Sequence, residues 1–364
     1  MQAIQTKNAW AKARNVLSAL FLGASSVALL AACVDNNQPT QPAPPTPVPA
    51  PVPPPPPPPP AMTTEVTLSQ VGVFETGVFD EGAAEIVAYD AANMQLFVVN
   101  SNDVTIDVLD ISDPSSPTLT AQIDATLLGG GANSIAVSND NLAVAIEANN
   151  SLDNGLVAIF DTNTLALIRT VEVGSLPDMV TFTPDGTKIL VANEGEPNDD
   201  LSINPEGTVS IIEVDGTPVD AITVDFTAFN GMEDDLNAAG VRIFLPGATV
   251  AEDLEPEFIA ISGDSSTAFV ALQENNAFAT IDIETATVTA LTSFGTTDHS
   301  LPGNELDASN RDNAINIVNQ PVFGMRMPDG IDTFEVDGQT FIITANEGDG
   351  REFDTFEEVE RVED

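Results

Sequence analysis

The sequence predicts an all-β fold, a β-propeller built from four-stranded blades, on three observations. First, short apolar runs that alternate with polar residues begin near Val66 and are separated by clusters of Asn, Asp, Gly and Pro. This pattern is typical of a many-stranded antiparallel protein. Second, the runs repeat in units whose first three starts lie 49 and 45 residues apart, which is the spacing of propeller blades. Third, no long helical period follows residue 62. A solenoid or a β-sandwich is the alternative, and the hairpin-rich four-strand units favour a propeller over a solenoid.

The repeat predicts the strands of each unit in order. First strands are expected at 84–89, 133–138, 178–183, 257–262 and 329–334, and second strands at 96–100, 142–147, 189–193, 268–273 and 341–346. Third strands are expected at 104–110, 155–161, 207–214 and 277–283, and fourth strands at 119–123, 166–173 and 286–291. Insertions at 229–254 and 296–327 separate the later units, and the first of them includes a short predicted helix at 232–239. We therefore expect about four and a half blades.

The first 33 residues are predicted to be a lipoprotein signal peptide. Three basic residues within the first 14 precede an apolar stretch from 16 to 30, which ends in the letters LAAC at Cys33. This arrangement matches a lipobox, so Cys33 is the expected lipidation site and the expected partner is a membrane, through the lipid anchor. An ordinary secretory signal is the alternative, and the stretch is shorter than the roughly 20 residues of a membrane-spanning helix. By resemblance to Gram-negative lipoproteins, Val34 favours the outer membrane of the cell envelope.

Residues 34–62 are predicted to be a linker, and residues 63–364 the partial propeller domain. Between Pro39 and Pro60, 15 of 22 residues are proline. Proline favours the extended polyproline II conformation, in which a stretch of this length reaches roughly 60–70 Å. A spacer is the favoured interpretation, and a ligand for SH3-like domains is the alternative. Because Cys33 is the only cysteine, the domain can form no disulfide and no Cys-ligated metal site.

The charge balance excludes some classes of partner. The chain has 56 Asp plus Glu against 10 Lys plus Arg, a formal net charge of −46. Nucleic-acid binding needs clustered basic residues, so no nucleic-acid partner is expected. Since 43% of the residues are hydrophobic and 18% are charged, the charge belongs to a folded body rather than to a disordered acidic chain.

Acidic residues recur at equivalent positions of successive units. The separations from Asp178 to Glu194, from Glu257 to Glu274 and from Asp329 to Glu347 are 16, 17 and 18 residues. Each pair flanks a predicted hairpin, so successive blades would bring carboxylates to the same rim. Carboxylates that converge repel one another, and a hard cation such as Ca²⁺ relieves the repulsion. The predicted metal ligands are Asp178, Glu194, Glu196, Asp199, Glu257, Glu274, Asp329, Glu347 and Asp349.

The alternative interpretation of these acids is that they cap turns on an acidic surface. The single histidine, His299, follows Asp298 within the second insertion and is the weak catalytic candidate. Packing within its loop is the favoured role of this histidine. No nucleophile elbow, phosphate-binding loop or dinucleotide fingerprint is present in the sequence.

Eight segments resemble the choice-of-anchor I family of bacterial surface proteins, whose members often carry the name alkaline phosphatase. They are FDEGAAEIVAYD (79–90), VLDISDP (108–114), LPDMVTFTPDG (176–186), VANEGEP (191–197), GVRIF (240–244), DLEPE (253–257), DHSLPG (298–303) and TANEGD (344–349). The resemblance implies a propeller of about seven blades, attached to the surface by varied means, that continues beyond Asp364.

Two functions follow as expectations. One is a surface-anchored binding or scaffold module with an acidic cation site and an extracellular or periplasmic ligand. The other, implied by the naming of the family, is a metal-dependent phosphomonoesterase. Phosphoryl transfer requires cationic groups at the transferring phosphate, and Arg326, Arg351 and His299 are the only candidates near the predicted rim.

Overall fold

The structure is a computed structural model that describes residues 2–5, 67–79 and 82–361. The described residues at 2–5 and from 71 onward belong to one compact unit, and those at 67–70, which form no helix or strand, to a second. Cys33 and the proline-rich linker lie outside the described residues. No helix in the described ranges is long and apolar enough to cross a membrane.

Four consecutive sheets are each built from four antiparallel strands in chain order. Strand β1 spans Gln2–Gln5. Sheet 1 contains β2 (Val87–Asp90), β3 (Gln95–Asn100), β4 (Thr105–Asp110) and β5 (Thr118–Asp124). Sheet 2 contains β6 (Gly131–Ser138), β7 (Asn141–Glu147), β8 (Asn154–Asp161) and β9 (Leu167–Ser175). Sheet 3 contains β10 (Pro177–Phe182), β11 (Lys188–Asn193), β12 (Thr208–Glu213) and β13 (Ile222–Asp225). Sheet 4 contains β14 (Ile259–Ile261), β15 (Thr267–Leu272), β16 (Ala277–Asp282) and β17 (Thr287–Ser293).

The first insertion lies between sheets 3 and 4 and carries the helices. A 3₁₀ turn (Thr227–Phe229) precedes the short helices α1 (Glu233–Ala238) and α2 (Val250–Asp253). A capping box begins α2: the Thr249 hydroxyl accepts the backbone N–H of Glu252, whose carboxylate accepts the N–H of Thr249 at 2.8 Å. This box places the buried carboxylate of Asp253 at the end of the insertion.

The remaining strands follow sheet 4. A two-stranded sheet in the second insertion pairs β18 (Thr296–Asp298) with β19 (Phe323–Met325). Sheet 5 pairs β20 (Pro328–Val336) with β21 (Gln339–Asn346), and β21 also pairs antiparallel with β1. A terminal hairpin joins β22 (Glu352–Phe353) to β23 (Phe356–Glu357).

The strands agree closely with those predicted from the repeat, because alternation and turn residues are local signals. The boundaries differ mostly by one or two residues, and by three at the start of the first unit. The short predicted helix at 232–239 is confirmed as α1. The repeat left out the fourth strand of sheet 3, β13, and the helix α2.

Along the second strand of a sheet, successive side chains pack alternately against the preceding sheet and the following sheet. In β7, Val144 belongs to the apolar core shared with sheet 1, whereas Ala145 belongs to the core shared with sheet 3. In β11, Val191 packs toward sheet 2 and Leu190 toward sheet 4. A further core joins sheets 4 and 5 through Phe269. Consecutive sheets thus stack face to face, as adjacent propeller blades do. The all-β, four-stranded prediction is confirmed, while the number of blades and the closure of a ring stay predictions.

Candidate functional site

The acidic residues lie where the first two strands of a sheet meet. Asp178 is at the start of β10, and Glu194 directly follows β11, the strand that pairs with it. Glu257 precedes β14, and its backbone N–H donates to the carbonyl of Ala271 in β15. The beginning of one antiparallel strand and the end of the next share one edge of the sheet. Because the sheets stack in order, these edges bring their carboxylates side by side.

The carboxylates converge on a pocket of about 450 Å³. Its lining includes Glu194, Glu255 and Glu274, together with Arg351. Glu255 and Glu274 are 3% and 7% exposed, and Glu257, which is hydrogen-bonded to Glu274, is also buried. We call this cavity the acidic pocket.

Two buried carboxylate oxygens in the acidic pocket have no hydrogen-bond partner among the residues that the structure describes. They are Oε1 of Glu255 and Oε2 of Glu274. A buried polar atom without a partner costs free energy, and the cost is larger when the group is charged. The pocket therefore holds acceptors that its own side chains leave unsatisfied.

Burial and mutual repulsion raise the pKa values of the pocket acids. Burial, and then the charges of Asp178 and Glu255, raise the pKa of Glu194 well above its ordinary value. Burial, and then the charge of Glu274 and the hydrogen bond with it, raise the pKa of Glu257 to about 12. Burial, assisted by the charge of Asp329, raises the pKa of Asp178 to about 6. The protonated form of each group is stabilised because burial removes water from the carboxylate and the neighbouring carboxylates repel its charge.

Arg351 supplies the countercharge within the pocket. Its guanidinium is almost fully buried and lies 2.9 Å from Oε2 of Glu255 and 3.2 Å from Oδ1 of Asp253. Burial raises the pKa of Glu255 to about 8, even though the ion pair with Arg351 acts in the opposite direction. Burial disfavours the charged form of Arg351, but Glu255 and Asp253 together raise its pKa above the ordinary value. One buried cation thus faces several carboxyl groups.

Asp253 connects this ion pair to the first insertion. Its Oδ2 accepts the backbone N–H of Phe244 at 2.8 Å, and its Oδ1 accepts Nδ2 of Asn275 at 2.7 Å. The Phe244 ring lies 4.8 Å from the guanidinium carbon of Arg351 and 4.2 Å from that of Arg242. These cation–π contacts and hydrogen bonds fix Arg351 at the wall of the pocket.

The terminal hairpin lies at the same pocket. The Glu358 carboxylate pairs with Arg242 and accepts the backbone N–H of Arg351 at 3.2 Å. The Phe356 ring lies 6.1 Å from that of Phe244, and the backbone N–H of Asp354 donates to the carbonyl of Asp199 at 3.0 Å. The hairpin therefore holds one side of the acidic pocket in place.

The predicted ligands occupy different depths. Asp178, Glu194, Glu257 and Glu274 act on one another electrostatically, and Asp329 acts on Asp178. The more exposed predicted ligands at the mouth are Glu196, Asp199 and Asp349. Burial, and then the charges of Glu274, Asp199 and Asp349, raise the pKa of Glu196, although Arg351 acts in the opposite direction. Glu347 is exposed, and its described hydrogen bond runs from its backbone N–H to the carbonyl of Met327 at 3.4 Å.

The acidic pocket suits a hard cation in chemistry, but its side chains do not form a complete coordination sphere. The acidic side chains that line it offer only oxygen ligands, which Ca²⁺ prefers. Among the residues that the structure describes, no group of three or more His, Cys, Asp or Glu side chains is arranged to hold a metal ion. Binding would therefore require rotation of carboxylates toward the ion.

His299 and Arg326, the other candidates from the sequence, each form a hydrogen bond with a backbone carbonyl. Nδ1 of His299 lies 2.6 Å from the carbonyl oxygen of Asn304, which fixes the ring within its loop. Its Nε2 is so close to Gly324 that a β-carbon there would lie 2.6 Å away. The Arg326 guanidinium donates to the carbonyl of Phe294.

Sequence reasoning left Glu255 and Asp253 out of the predicted ligands. Both belong to the segment DLEPE, in which Asp253, Glu255 and Glu257 alternate. In an extended segment, residues two apart lie on the same side, so the alternation of Glu255 with Glu257 is the available signal, whereas Asp253 ends helix α2. The sequence indicates Arg351 only as a cation near the predicted rim, because the burial of this residue depends on the first insertion and the terminal hairpin.

Comparison with known proteins gives the following similarities. No curated protein matches the sequence. The chain is similar to hydrazine synthase of Kuenenia stuttgartiensis, with 16% identity, a TM-score of 0.41 and coverage of 60% of this chain and 52% of that chain. It is similar to a functionally unknown protein from Desulfotomaculum acetoxidans DSM 771, with 10% identity, a TM-score of 0.42 and coverage of 63% and 62%. A chain of a nidogen/laminin complex matches with 13% identity, a TM-score of 0.36 and coverage of 59% and 65%.

These matches each span less than two thirds of the solved chains, from 52% to 65%. The sequence profile of the choice-of-anchor I domain, in contrast, matches residues 85–364, which is most of the chain. All four of the four-stranded sheets and the acidic pocket lie within that range. The chain therefore belongs to the choice-of-anchor I family.

Proposed function

We propose that this protein is a surface-associated β-propeller module that is anchored by lipid at Cys33 and binds Ca²⁺ in the acidic pocket. The observation that carries the cation proposal is the pair of buried, unpartnered carboxylate oxygens on Glu255 and Glu274. Membership of the choice-of-anchor I family supports the surface association.

A bound divalent cation would resolve the electrostatic imbalance of the pocket. Arg351 pairs with Glu255 and Asp253 and also acts on Glu274, so Glu194 and Glu257 have no basic partner in their described interactions. Protons can neutralise Glu194 and Glu257, as the raised pKa values of these two groups indicate. A bound cation neutralises these carboxylates at neutral pH by replacing the protons, and it takes the unpartnered carboxylate oxygens as ligands.

The geometry suggests which residues would hold the ion. Glu255 and Glu274 offer the unpartnered oxygens, and Glu194 and Glu257 lie beside them. Asp178 is the next ligand, with the more exposed acids at the mouth able to contribute through water. Ca²⁺ takes about six to eight oxygens and tolerates irregular geometry, which suits a site assembled by side-chain rotation.

The test is the effect of Ca²⁺ on the melting temperature of protein treated with a chelator. A ligand that binds the folded state stabilises it, so Ca²⁺ is expected to raise the melting temperature. In Glu274→Gln the rise should be lost or strongly reduced. The matched control is Glu284→Gln, because Glu284 is exposed on an outer turn of sheet 4, and it should respond like the wild type.

Two results would overturn the cation proposal. One is a melting temperature that does not change with Ca²⁺ up to millimolar concentrations. The other is an equal rise in the wild type and in Glu274→Gln, which would place the bound ion elsewhere.

The lipid anchor has its own test. Radiolabelled palmitate is expected to label the wild-type protein in bacterial cells, and Cys33→Ser should abolish the label, because the thiol carries the lipid. Equal labelling of both proteins would contradict anchoring at Cys33.

No contact in the acidic pocket favours the phosphomonoesterase alternative. Nε, Nη1 and Nη2 of Arg351 all donate to Asp253 or Glu255, so the guanidinium is engaged within the protein. A metal-supplemented phosphatase assay that compares wild type with a Glu194→Ala/Glu347→Ala variant separates the two hypotheses. Hydrolysis that depends on these residues would favour the enzyme.

A further inference from the structure

We propose a second binding site, for a neutral polyhydroxylated ligand such as a saccharide, in the cleft between the outer strands of sheets 2 and 3. This cleft has a volume of about 480 Å³ and lies between β9 and β13. A volume of this size is typical of sites for small organic molecules. We call it the outer cleft.

The side chains that line the outer cleft are mainly polar. The polar residues of the lining include Asn154, Glu172, Ser175, Glu206, Thr208 and Asp220. None of the described residues that line the cleft is Lys, Arg or His. Hydroxyl, amide and carboxylate groups together offer both donors and acceptors, which is the combination that sugar hydroxyls need.

One buried group at the outer cleft lacks a partner. Ser175 is 4% exposed, and its Oγ makes no hydrogen bond within the described part of the chain. Ser175 ends β9, opposite Asn154 of β8. A hydroxyl that is shielded from solvent and unpartnered costs free energy. A turn of this hydroxyl toward the cleft that Ser175 lines would let a ligand bind it. A ligand hydroxyl is both donor and acceptor, so it fits whichever way the Ser175 hydroxyl turns.

A second neutral group behind the wall of the cleft is also unsatisfied. Nδ2 of Asn193 donates to Oγ1 of Thr208 at 3.1 Å, whereas its Oδ1 has no partner. Gly174 separates this amide from the cleft, and a β-carbon on Gly174 would lie 2.6 Å from Oγ1 of Thr208. The absence of a side chain at Gly174 therefore keeps the Thr208 hydroxyl within reach of the cleft.

The carboxylates of the outer cleft differ from those of the acidic pocket. Glu172, Glu206 and Asp220 are exposed, so water solvates their charges and no countercation is required. Glu172 also accepts Nδ2 of Asn154 at 3.2 Å. Hydrogen bonds from ligand hydroxyls to ionised carboxylates are about twice as strong as neutral ones. The unsatisfied groups here are neutral, which favours a neutral ligand over a metal ion.

The experiment titrates neutral disaccharides into the whole protein. The probes are maltose, cellobiose, lactose and N,N′-diacetylchitobiose, each up to 20 mM, and binding is followed by isothermal calorimetry and by backbone amide NMR shifts. We expect at least one of them to bind and to shift the amide signals of residues 172–175 and 206–208. Ser175→Ala should weaken binding by about tenfold, because one buried hydrogen bond is lost.

Ser175→Ala separates binding from folding. The Ser175 Oγ has no partner to lose in the protein, so the melting temperature should stay the same or rise. The matched control is Ser116→Ala, since Ser116 is exposed on a turn of sheet 1, and it should bind as tightly as the wild type.

Each contrary outcome is decisive. If none of the four sugars binds at 20 mM, the proposed ligand class is wrong. Equal affinity of the wild type and Ser175→Ala would show that Ser175 does not contact the ligand. If Ca²⁺ rather than a sugar shifts the amide signals of residues 172–175 and 206–208, the outer cleft is a cation site and the proposal fails.

Discussion

The outer turns and the acidic pocket use the same type of side chain in opposite ways. Several turn aspartates accept hydrogen bonds from hydroxyl and backbone groups that follow closely in the chain. Asp124 is typical: its Oδ1 accepts hydrogen bonds from the backbone N–H of Thr126 at 2.9 Å and from the Thr126 hydroxyl at 2.6 Å. Hydrogen bonds of this kind lower the pKa values of the turn acids Asp110, Asp113, Asp124, Asp161, Asp264, Asp282 and Asp298.

In the acidic pocket several carboxyl groups face one another, and Arg351 donates hydrogen bonds to Glu255 and Asp253. Burial raises the pKa values of Asp178, Glu194, Glu255 and Glu257. Turn carboxylates therefore stabilise the fold when ionised, whereas pocket carboxylates stabilise it when protonated or bound to a cation. The acid excess of the chain thus has two parts, a solvated one on the turns and an unsatisfied one in the pocket.

The largest expected effect comes from removing the countercharge of the pocket. Arg351→Met leaves Asp253 and Glu255 buried without their cation, which costs about 3–5 kcal/mol of unfolding free energy. Denaturant unfolding at pH 7 measures this loss. The Met side chain fills much of the same volume, so the result reports charge more than packing.

Lys188→Met is the control for Arg351→Met. Lys188 pairs with Glu213 on the surface, and both side chains are partly exposed. Its loss is expected to cost at most about 1 kcal/mol. Equal costs for the two variants would show that the buried pair is no more important than a surface pair.

The next effect is a dependence of stability on pH in the absence of divalent cations. Raised pKa values mean that the folded protein binds more protons than the unfolded chain. Unfolding free energy should therefore fall as pH rises from about the ordinary carboxyl values through the folded values, about 6 for Asp178 and about 8 for Glu255. Denaturant unfolding between pH 5 and 8 measures the slope.

Glu257→Gln sharpens this prediction. Glutamine cannot ionise, so the slope between pH 5 and 8 should shrink by up to about 1.4 kcal/mol per pH unit. Glu284→Gln on the outer turn should leave the slope unchanged. A slope equal to that of the wild type in Glu257→Gln would contradict the burial of Glu257 as an acid.

The smallest effect is expected at an outer turn. The lowered pKa of Asp124 gives stability that is present above its ordinary value of 3.8 and is lost as pH falls below that value. Asp124→Asn should lower the melting temperature slightly at pH 7, by less than any pocket substitution, and by a smaller amount at pH 3. A loss of the same size at both pH values would show that the ionised carboxylate is not the stabilising group.

Much of the fold could be predicted from sequence because its signals are local. Alternating apolar residues and turn clusters located the strands within a few residues, and the repeat grouped them into sheets. The near-equal spacing of Asp178 to Glu194 and of Glu257 to Glu274 also predicted that these acids meet. Because paired strands keep a regular register, similar sequence spacings place residues at equivalent positions of successive sheets.

The inner part of the acidic pocket could not be predicted in this way. Arg351 lies 98 residues from Asp253 in the chain, and their contact depends on the first insertion and the terminal hairpin. Neither follows the repeat, so no spacing relates the two residues. The same holds for Ser175, whose unpartnered hydroxyl is apparent only once β9 and β13 are placed side by side.

The most direct test of the account is calorimetry of Ca²⁺ binding at pH 7.5 in two buffers of different ionisation enthalpy. If Ca²⁺ replaces the protons held by Glu257 and its neighbours, the heats will differ between buffers and report the release of at least about one proton per ion. Binding heats that are the same in both buffers, or no binding at all, would contradict the claim that the pocket acids are a protonated cation site.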